Sequence, residues 1–260
     1  MSDIFGFENE ATQGGLKVKK SILNLKSLKE QVYEYLREQL HKGKIRPGSF
    51  INMDETSRKL GISKTPLRDA LLQLEMEGFV TILPRKGVYV NVLTLQDIKD
   101  YYEVIGALEN IAMLSASSFL ETSDIKKMEK LNEEMRKAIE KDNFDLYYSK
   151  NLKFHNTYID LSGNKVLKKI VDNLKKRLYD FPRQKGFVKE WELNSIEEHK
   201  KIVELLYQGK FEEAANFIRD VHWSFSVQEK YIKKYYKILE EKKIIEGIKQ
   251  EDEERAYFRY

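Results

Sequence analysis

Prolines are concentrated in the first part of this 260-residue chain, where three of the four precede residue 93: Pro47, Pro66 and Pro84. Proline interrupts helices and the interior of sheets, so this region must consist of short elements joined by turns. From Thr94 onward the apolar residues recur at spacings of three and four, which predicts successive helices. The chain is therefore expected to form two domains that meet near residues 92–96.

Four segments are expected along the chain. Residues 1–25 lack a clear period and are interpreted as a flexible leader, residues 26–92 as a small mixed domain, residues 94–240 as a helical domain, and residues 241–260 as a charged extension. The predicted fold class is mainly α, with an N-terminal winged helix-turn-helix that contains a small β-hairpin. A C-terminal all-α bundle of six or seven helices follows.

Capping residues predict the helix boundaries in the second domain. Thr94, followed three residues later by Asp97, opens a helix to about Leu120, and Ser123 precedes the next. Two further helices are expected from about Asn143 to Leu161 and from about Lys165 to Asp180. Ser195 with Glu198 is predicted to cap a fifth helix, and a sixth is expected to run from Phe211 to the late 230s.

The composition excludes several classes of site. The chain has no cysteine, which rules out disulfides, thiolate metal ligands and cysteine nucleophiles. The first 15 residues are acidic without an apolar core, unlike a signal peptide, and no run reaches the roughly 18 apolar residues of a membrane span. We therefore expect a cytoplasmic protein.

The first domain is predicted to place two helices around a tight turn. The first helix carries Leu28, Val32, Leu36 and Leu40 on one face, and a short helix follows over residues 53–60. After Gly61, Ser63 is a good N-cap and Pro66 fits the first turn of the next helix. An inward stripe is predicted on that helix: Leu67, Leu71 and Leu74. Its outward residues near the N-terminus are those that a recognition helix presents to DNA: Lys64, Thr65 and Arg68.

A basic hairpin is predicted after this helix. Two β-like stretches, residues 79–83 and 88–90, flank the tip Pro84-Arg85-Lys86-Gly87. Such a wing can place Arg85 and Lys86 beside the phosphates or the minor groove of DNA. Residues 26–91 hold twelve Lys or Arg against eight Asp or Glu, a net charge of +4 that equals the charge of the whole chain. A helical domain with a merely solvated basic face is the alternative.

The segment PGSFINMDETSRKLGISKTPLRDALLQLEMEGFVTILPRKGVYV closely resembles the GntR family of bacterial regulators. The resemblance implies DNA contacts from six residues: Arg37, Ser63, Lys64, Thr65, Arg68 and Gly87. Lys64 stands where arginine is usual in the family, and Asp69 stands where glutamate is usual. Because lysine lacks the bidentate fork that pairs with guanine, we expect a shifted operator preference.

Three of the four histidines, His155, His199 and His222, fall in three different predicted helices of the second domain. Each is in register with buried positions, so they could converge inside the bundle, although each taken alone could be a hydrogen-bonded core residue. Neutral imidazoles suit Zn²⁺, Ni²⁺ and similar divalent ions.

The second domain resembles the FCD effector domain of FadR-like GntR regulators. The resemblance implies a divalent metal, such as Zn²⁺ or Ni²⁺, with four ligands: Asn151, His155, His199 and His222. In that family, aspartate is commoner than asparagine at the position of Asn151. The family also often has arginine where Ile105 stands, which leaves Arg177 and Arg183 as candidate partners of an anionic effector.

These features predict a DNA-binding transcription regulator that responds to a small organic acid. We interpret it as a repressor. It is expected to act as a homodimer on a palindromic operator. Enzyme activity is not expected, because the sequence has no His-Glu-x-x-His, Gly-x-Ser-x-Gly or phosphate-loop motif. The alternatives are a metal-independent acyl or lipid-like effector, a metal-dependent enzyme, and a nucleoid or RNA-binding protein.

Overall fold

A computed structural model describes residues 26–179 and 188–234. The predicted leader, the last residues of the predicted helical domain (235–240), the whole predicted extension (241–260) and Arg183 lie outside these residues. Within the described ranges, no helix combines the length and the apolarity that crossing a membrane requires.

The N-terminal domain consists of three helices and a three-stranded antiparallel sheet. Its elements are α1 Leu28–His41, β1 Phe50–Ile51, α2 Met53–Leu60, α3 Lys64–Met76, β2 Val80–Leu83 and β3 Gly87–Val90. The strand order is β1-β3-β2, with Ile51 opposite Val88 and Val80 opposite Val90. The predicted hairpin is therefore correct, and the short strand β1 adds an edge that the sequence pattern did not predict.

Local sequence explains where these helices begin and end. Ser27 and Glu30 form a reciprocal capping box at α1, and Asn52 accepts two backbone N–H groups at the start of α2. Gly61 ends α2 with φ +65°, a conformation that glycine adopts without steric cost. The predicted buried face of α1 is wrong at Leu28, which is 48% exposed because the helix begins there, ahead of the core.

The C-terminal domain is entirely helical over the described residues. Its helices are α4 Leu95–Ala116, α5 Thr122–Glu140, α6 Phe144–Leu161, α7 Lys165–Tyr179, α8 Lys189–Tyr207 and α9 Phe211–Phe217. A π-helical turn, Ile218–His222, follows α9, and a further helix, α10, begins at residue 225 and is described as far as residue 234. The predicted mainly α fold with a helical bundle is confirmed.

Three boundary predictions in this domain need correction. Helix α8 begins at Lys189, so Ser195 lies inside the helix and caps nothing. Helix α4 ends at Ala116, before the predicted Leu120. The single helix predicted from Phe211 is divided, because the π-helical turn widens the backbone spiral and a non-helical stretch follows it. Such turns often occur at functional sites.

Each domain has its own buried hydrophobic cluster. The connecting segment is tied to both domains. The backbone N–H of Asn91 donates to the carbonyl of Phe79 at 3.0 Å, and its side-chain amide donates to the carbonyl of Gly78 at 2.9 Å. Leu93 is buried in the cluster of the helical domain, and Thr94 caps α4.

Candidate metal centre and DNA-binding surface

The three predicted histidines meet inside the helical domain. His155 comes from α6, His199 from α8 and His222 from the π-helical turn, and their ligand atoms all lie within 4.8 Å of one another. The Nε2 atoms of His155 and His199 are 3.3 Å apart. All three side chains are buried. The convergence that the sequence left open is thus present in the structure.

Two carboxylates fix the orientation of two of the three imidazole rings. The Nδ1 atom of His155 is 2.8 Å from Oε2 of Glu109, and the Nδ1 atom of His222 is 2.7 Å from Oε2 of Glu198. An ionised carboxylate only accepts hydrogen bonds, so each Nδ1 carries the proton and each Nε2 keeps its lone pair. Carboxylates hold metal-binding histidines in this way in many proteins.

Glu109 is the hub of a buried polar network on the far side of His155. It accepts hydrogen bonds from the Tyr158 hydroxyl and from Nε1 of Trp223, the latter at 3.0 Å. The ammonium of Lys175 lies 2.5 Å from its Oε1, and both side chains are almost completely buried. Burial opposes the charge on Glu109, yet its neighbours hold the pKa of this carboxyl below its ordinary value. Glu109 is therefore ionised inside the core.

His155 and His199 are neutral at physiological pH. Burial lowers the pKa of His199 well below its ordinary value, and the nearby His222 and His155 lower it further. Burial also lowers the pKa of His155, although Glu109 opposes that shift. Neutral imidazole is the form that coordinates a metal, so no proton has to be removed before binding.

Asn151 lies one turn before His155 on α6 and is 4% exposed. Its Oδ1 is buried and has no hydrogen-bond partner among the described residues. A buried amide oxygen without a partner is costly unless something binds it. Imidazole nitrogens and an amide oxygen are donor types that fit a divalent ion such as Zn²⁺ or Ni²⁺.

The sequence reasoning missed Glu109 and Lys175. Glu109 is an isolated acid on the buried face of α4, between Ile105 and Met113, which is the signal that could have revealed it. Lys175 continues the buried positions Leu167 and Val171 of α7 at a spacing of four, a register that could likewise have revealed it. Arg177, a predicted effector contact, points elsewhere: its guanidinium carbon lies 5.1 Å from the centre of the Phe79 ring in the N-terminal domain.

The predicted DNA-contacting residues lie on the surface of the N-terminal domain. Four of them are exposed around the start of α3: Ser63, Lys64, Thr65 and Arg68. Leu67, Leu71 and Leu74 are fully buried on the other side of α3, as predicted. The hydroxyl of Ser63 caps no backbone N–H of α3. The N-terminus of this helix therefore offers donors as well as positive charge.

The wing presents a second basic surface. Arg85 and Lys86 are exposed at the tip between β2 and β3, where Arg85 has φ +65° and Gly87 has φ +106°.

Lys64 forms an ion pair with Asp54 of α2 on the exposed surface. Arg37 is only partly exposed, because it lies beside Tyr33 on α1.

Comparison with known proteins decides the family. The profile of the bacterial regulatory proteins of the gntR family matches residues 28–90, and the profile of the FCD domain matches residues 100–221. This chain belongs to the GntR family. It is a DNA-binding transcription regulator with an FCD effector domain, and the family consists of regulators rather than enzymes.

Individual GntR relatives agree with this assignment. The Nta operon transcriptional regulator of Aminobacter aminovorans is 30% identical over 175 residues, which are 66% of this chain and 80% of that protein. The HTH-type transcriptional repressor RspR of Escherichia coli K12 is 25% identical over 146 residues, which are 56% of this chain and 64% of that protein.

A solved GntR-type fold is also similar. The structure of E. coli McbR/YncC superposes with a TM-score of 0.58 at 20% identity, covering 83% of this chain and all of that one. At this sequence identity, the structural similarity is evidence for the fold alone. It supports the same order of a winged N-terminal domain and a helical C-terminal domain.

Proposed function

We propose that this GntR regulator binds a divalent metal ion in its FCD domain and that an organic acid bound at the metal changes its affinity for DNA. The observation that carries this proposal is the buried group of His155, His199 and His222, with carboxylates behind two of the rings. Core histidines that serve only as hydrogen-bonding groups would not need three imidazole rings to converge in this way.

His155, His199 and His222 would hold the ion, with Asn151 as a fourth ligand. The ion, when bound, supplies a concentrated positive charge that attracts a carboxylate. Because all four protein donors are neutral, they leave the ion's charge undiminished. An anionic effector is therefore favoured over a neutral one.

On the DNA side, we assign sequence reading to the exposed residues at the start of α3, principally Lys64, Thr65 and Arg68. Arg85, Lys86 and Gly87 of the wing, with Arg37 and Ser63, would hold the phosphates or position the backbone. This division follows from geometry, because a helix N-terminus enters the major groove while a hairpin tip lies beside it.

We propose a homodimer on a palindromic operator. Helix α4 has an exposed apolar stripe that includes Val104, Ile111 and Leu114, each more than 40% exposed. A stripe of this kind on a soluble helical domain is a suitable surface for a second copy of the chain. Two copies would present two recognition helices to two half-sites. Repression is the favoured output, in line with the name of the relative RspR.

The metal is tested by elemental analysis of protein purified without a histidine tag. About one equivalent of metal per chain is expected, and His199→Ala should lose it. His41→Ala is the matched control, because His41 is the histidine of the N-terminal domain and should leave the metal content unchanged. Substoichiometric metal in the wild type that His199→Ala does not alter would overturn the metal proposal.

DNA binding is tested by fluorescence anisotropy with a palindromic site from the gene's own upstream region. We expect tight binding at low salt, weakened by Arg68→Ala and much weaker for scrambled DNA. Equal affinity for the scrambled site would instead favour a nonspecific nucleic-acid-binding protein. Full metal-independent response to acyl compounds would favour the acyl-effector alternative.

A further inference from the structure

Helix α7 contacts both the metal-site network and the DNA-binding domain. Two of its residues carry these contacts, Lys175 and Arg177. Residues that are two positions apart on an α-helix are separated by roughly 200° around its axis. The side chains of Lys175 and Arg177 therefore leave α7 on nearly opposite sides. Each side chain is at most 5% exposed. Both contacts are therefore built into the interior of the protein rather than lying on its surface.

On its inner side, α7 is joined to the histidine group. Lys175 pairs with Glu109 at 2.5 Å, and Glu109 in turn holds Nδ1 of His155 at 2.8 Å. Only one carboxylate separates the helix from a predicted metal ligand. A change in the position of the His155 ring would therefore displace the partner of Lys175.

On its outer side, α7 is joined to the turn that follows the recognition helix α3. The guanidinium of Arg177 lies over the ring of Phe79, which is itself buried in the core of the DNA-binding domain. The Nε atom of Arg177 also lies 3.4 Å from where a Cβ on Gly78 would be placed. An arginine packed flat on an aromatic ring gains from both charge and dispersion, most strongly where water is excluded.

The segment between the domains reaches the same turn. Asn91 donates to the carbonyl of Gly78 through its side chain and to that of Phe79 through its backbone. Two separate parts of the chain, α7 and the connection into α4, therefore both hold residues 78–79. This turn joins α3 to strand β2, so its position sets the orientation of α3 and of the wing together.

We infer that Arg177 is a positioning residue that docks the DNA-binding domain on α7 and transmits occupancy of the metal site to the recognition helix. This inference rests on the proposed metal-dependent function and adds the route by which that function reaches DNA. Transmission requires that the docked arrangement be favoured differently in the metal-bound and metal-free protein.

The first experiment measures the affinity for operator DNA with Zn²⁺ alone as the probe, in Arg177→Ala, Arg177→Lys and the wild type. Metal should change the wild-type Kd by about fivefold or more, within the usual range of allosteric coupling. Both variants should bind Zn²⁺ and DNA. For each variant, however, the ratio of the operator Kd without Zn²⁺ to the Kd with Zn²⁺ should lie within about twofold of one. Arg136→Ala is the control, since Arg136 makes an exposed ion pair with Glu197 in the same domain and should keep the wild-type ratio.

The second experiment measures docking without reference to metal. The chain contains no cysteine, so spin labels can be placed by Met76→Cys on α3 and Val166→Cys on α7, at side chains that are 79% and 70% exposed. With an excess of unlabelled protein, pulsed electron resonance reports the distance within one chain. A single narrow distribution is expected for otherwise wild-type protein and a broad one after Arg177→Ala.

The two experiments fail in different ways. If the wild type does not bind Zn²⁺, the proposed function is wrong. If Zn²⁺ binds but leaves the wild-type Kd unchanged, the inferred transmission of metal occupancy is overturned, and the spin-label distances still test the docking. If the wild type responds to Zn²⁺ and Arg177→Ala keeps both the full response and the narrow distribution, the inference about Arg177 is overturned.

Discussion

Replacing Asn151 with aspartate tests whether this residue completes the metal site. The side chain is 4% exposed and its Oδ1 has no hydrogen-bond partner among the described residues. The substitution keeps the shape and adds one negative charge. Without metal, an unpaired buried carboxylate costs about 3 kcal/mol. For a chain of this size, that should lower Tm in the presence of a chelator by about 6–12 °C.

Metal should reverse the sign of this effect. At an effective dielectric constant of about 20, each unit of the ion's charge gains about 4 kcal/mol from a carboxylate at about 4 Å, so about 4 kcal/mol is the smallest gain expected. The cost of burying the carboxylate is already present in the metal-free protein, so this gain appears in the binding step. Asn151→Asp should therefore bind Zn²⁺ at least about 10²–10³ times more tightly than the wild type. Its Tm should rise much further on metal addition.

The assay is competition for Zn²⁺ against a chromophoric chelator, together with thermal melts in chelator and in excess Zn²⁺. Asn132→Asp is the matched control: Asn132 is also buried, and its Oδ1 likewise has no partner among the described residues, but it lies on α5. It should lose stability without gaining metal affinity. Equal Zn²⁺ affinities for Asn151→Asp and the wild type, with only lower stability, would refute coordination by residue 151.

Three further substitutions probe the surroundings of the site. Glu198→Gln should weaken Zn²⁺ binding about 10–100-fold, because it loses the carboxylate that orients His222, and an unchanged affinity in the chelator assay would contradict this role. Burial raises the pKa of Glu192 to about 7, so ionisation costs folded-state stability as pH rises from about 4.5 to 7. Glu192→Gln should add about 1–2 kcal/mol to the free energy of unfolding at pH 8 and little at pH 4; urea titrations giving equal changes at both pH values would contradict the shift. Gly106→Ala places a Cβ 3.0 Å from the Cβ of Trp223. The crowding should cost about 1–3 kcal/mol of stability, which outweighs the better helix propensity of alanine. Thermal melts that show no loss of stability would mean that the turn bearing His222 can move aside.

The sequence predicted features that depend on local pattern. Leu67, Leu71 and Leu74 are buried because a stripe at spacings of three and four has one way to face a core. The three histidines stand out in the sequence for a similar reason, as polar residues in register with apolar ones. Family resemblance then made their convergence a specific expectation, which the positions of α6, α8 and the π-helical turn fulfil.

Features that depend on contacts between distant segments were not predictable. Glu109 and Lys175 are 66 positions apart, and only the packing of α7 on α4 brings their charges together. The effector contact predicted for Arg177 is a similar case, because the sequence cannot show which side of α7 faces the other domain. Ser195, three residues before Glu198, satisfies the local rule for a cap, although α8 begins six residues earlier.

The π-helical turn at Ile218–His222 also affects how this protein can vary in length. A π-turn amounts to one extra residue within a helix, so deleting a single residue there would restore ordinary α geometry with little rotation of what lies beyond it. The contacts of Glu198 with His222 at 2.7 Å and with Gln228 at 2.8 Å would then keep their register. In a regular helix such as α8, by contrast, a one-residue deletion rotates everything beyond it by about 100°. Single-residue deletions should therefore be better tolerated at residues 218–221 than inside α8.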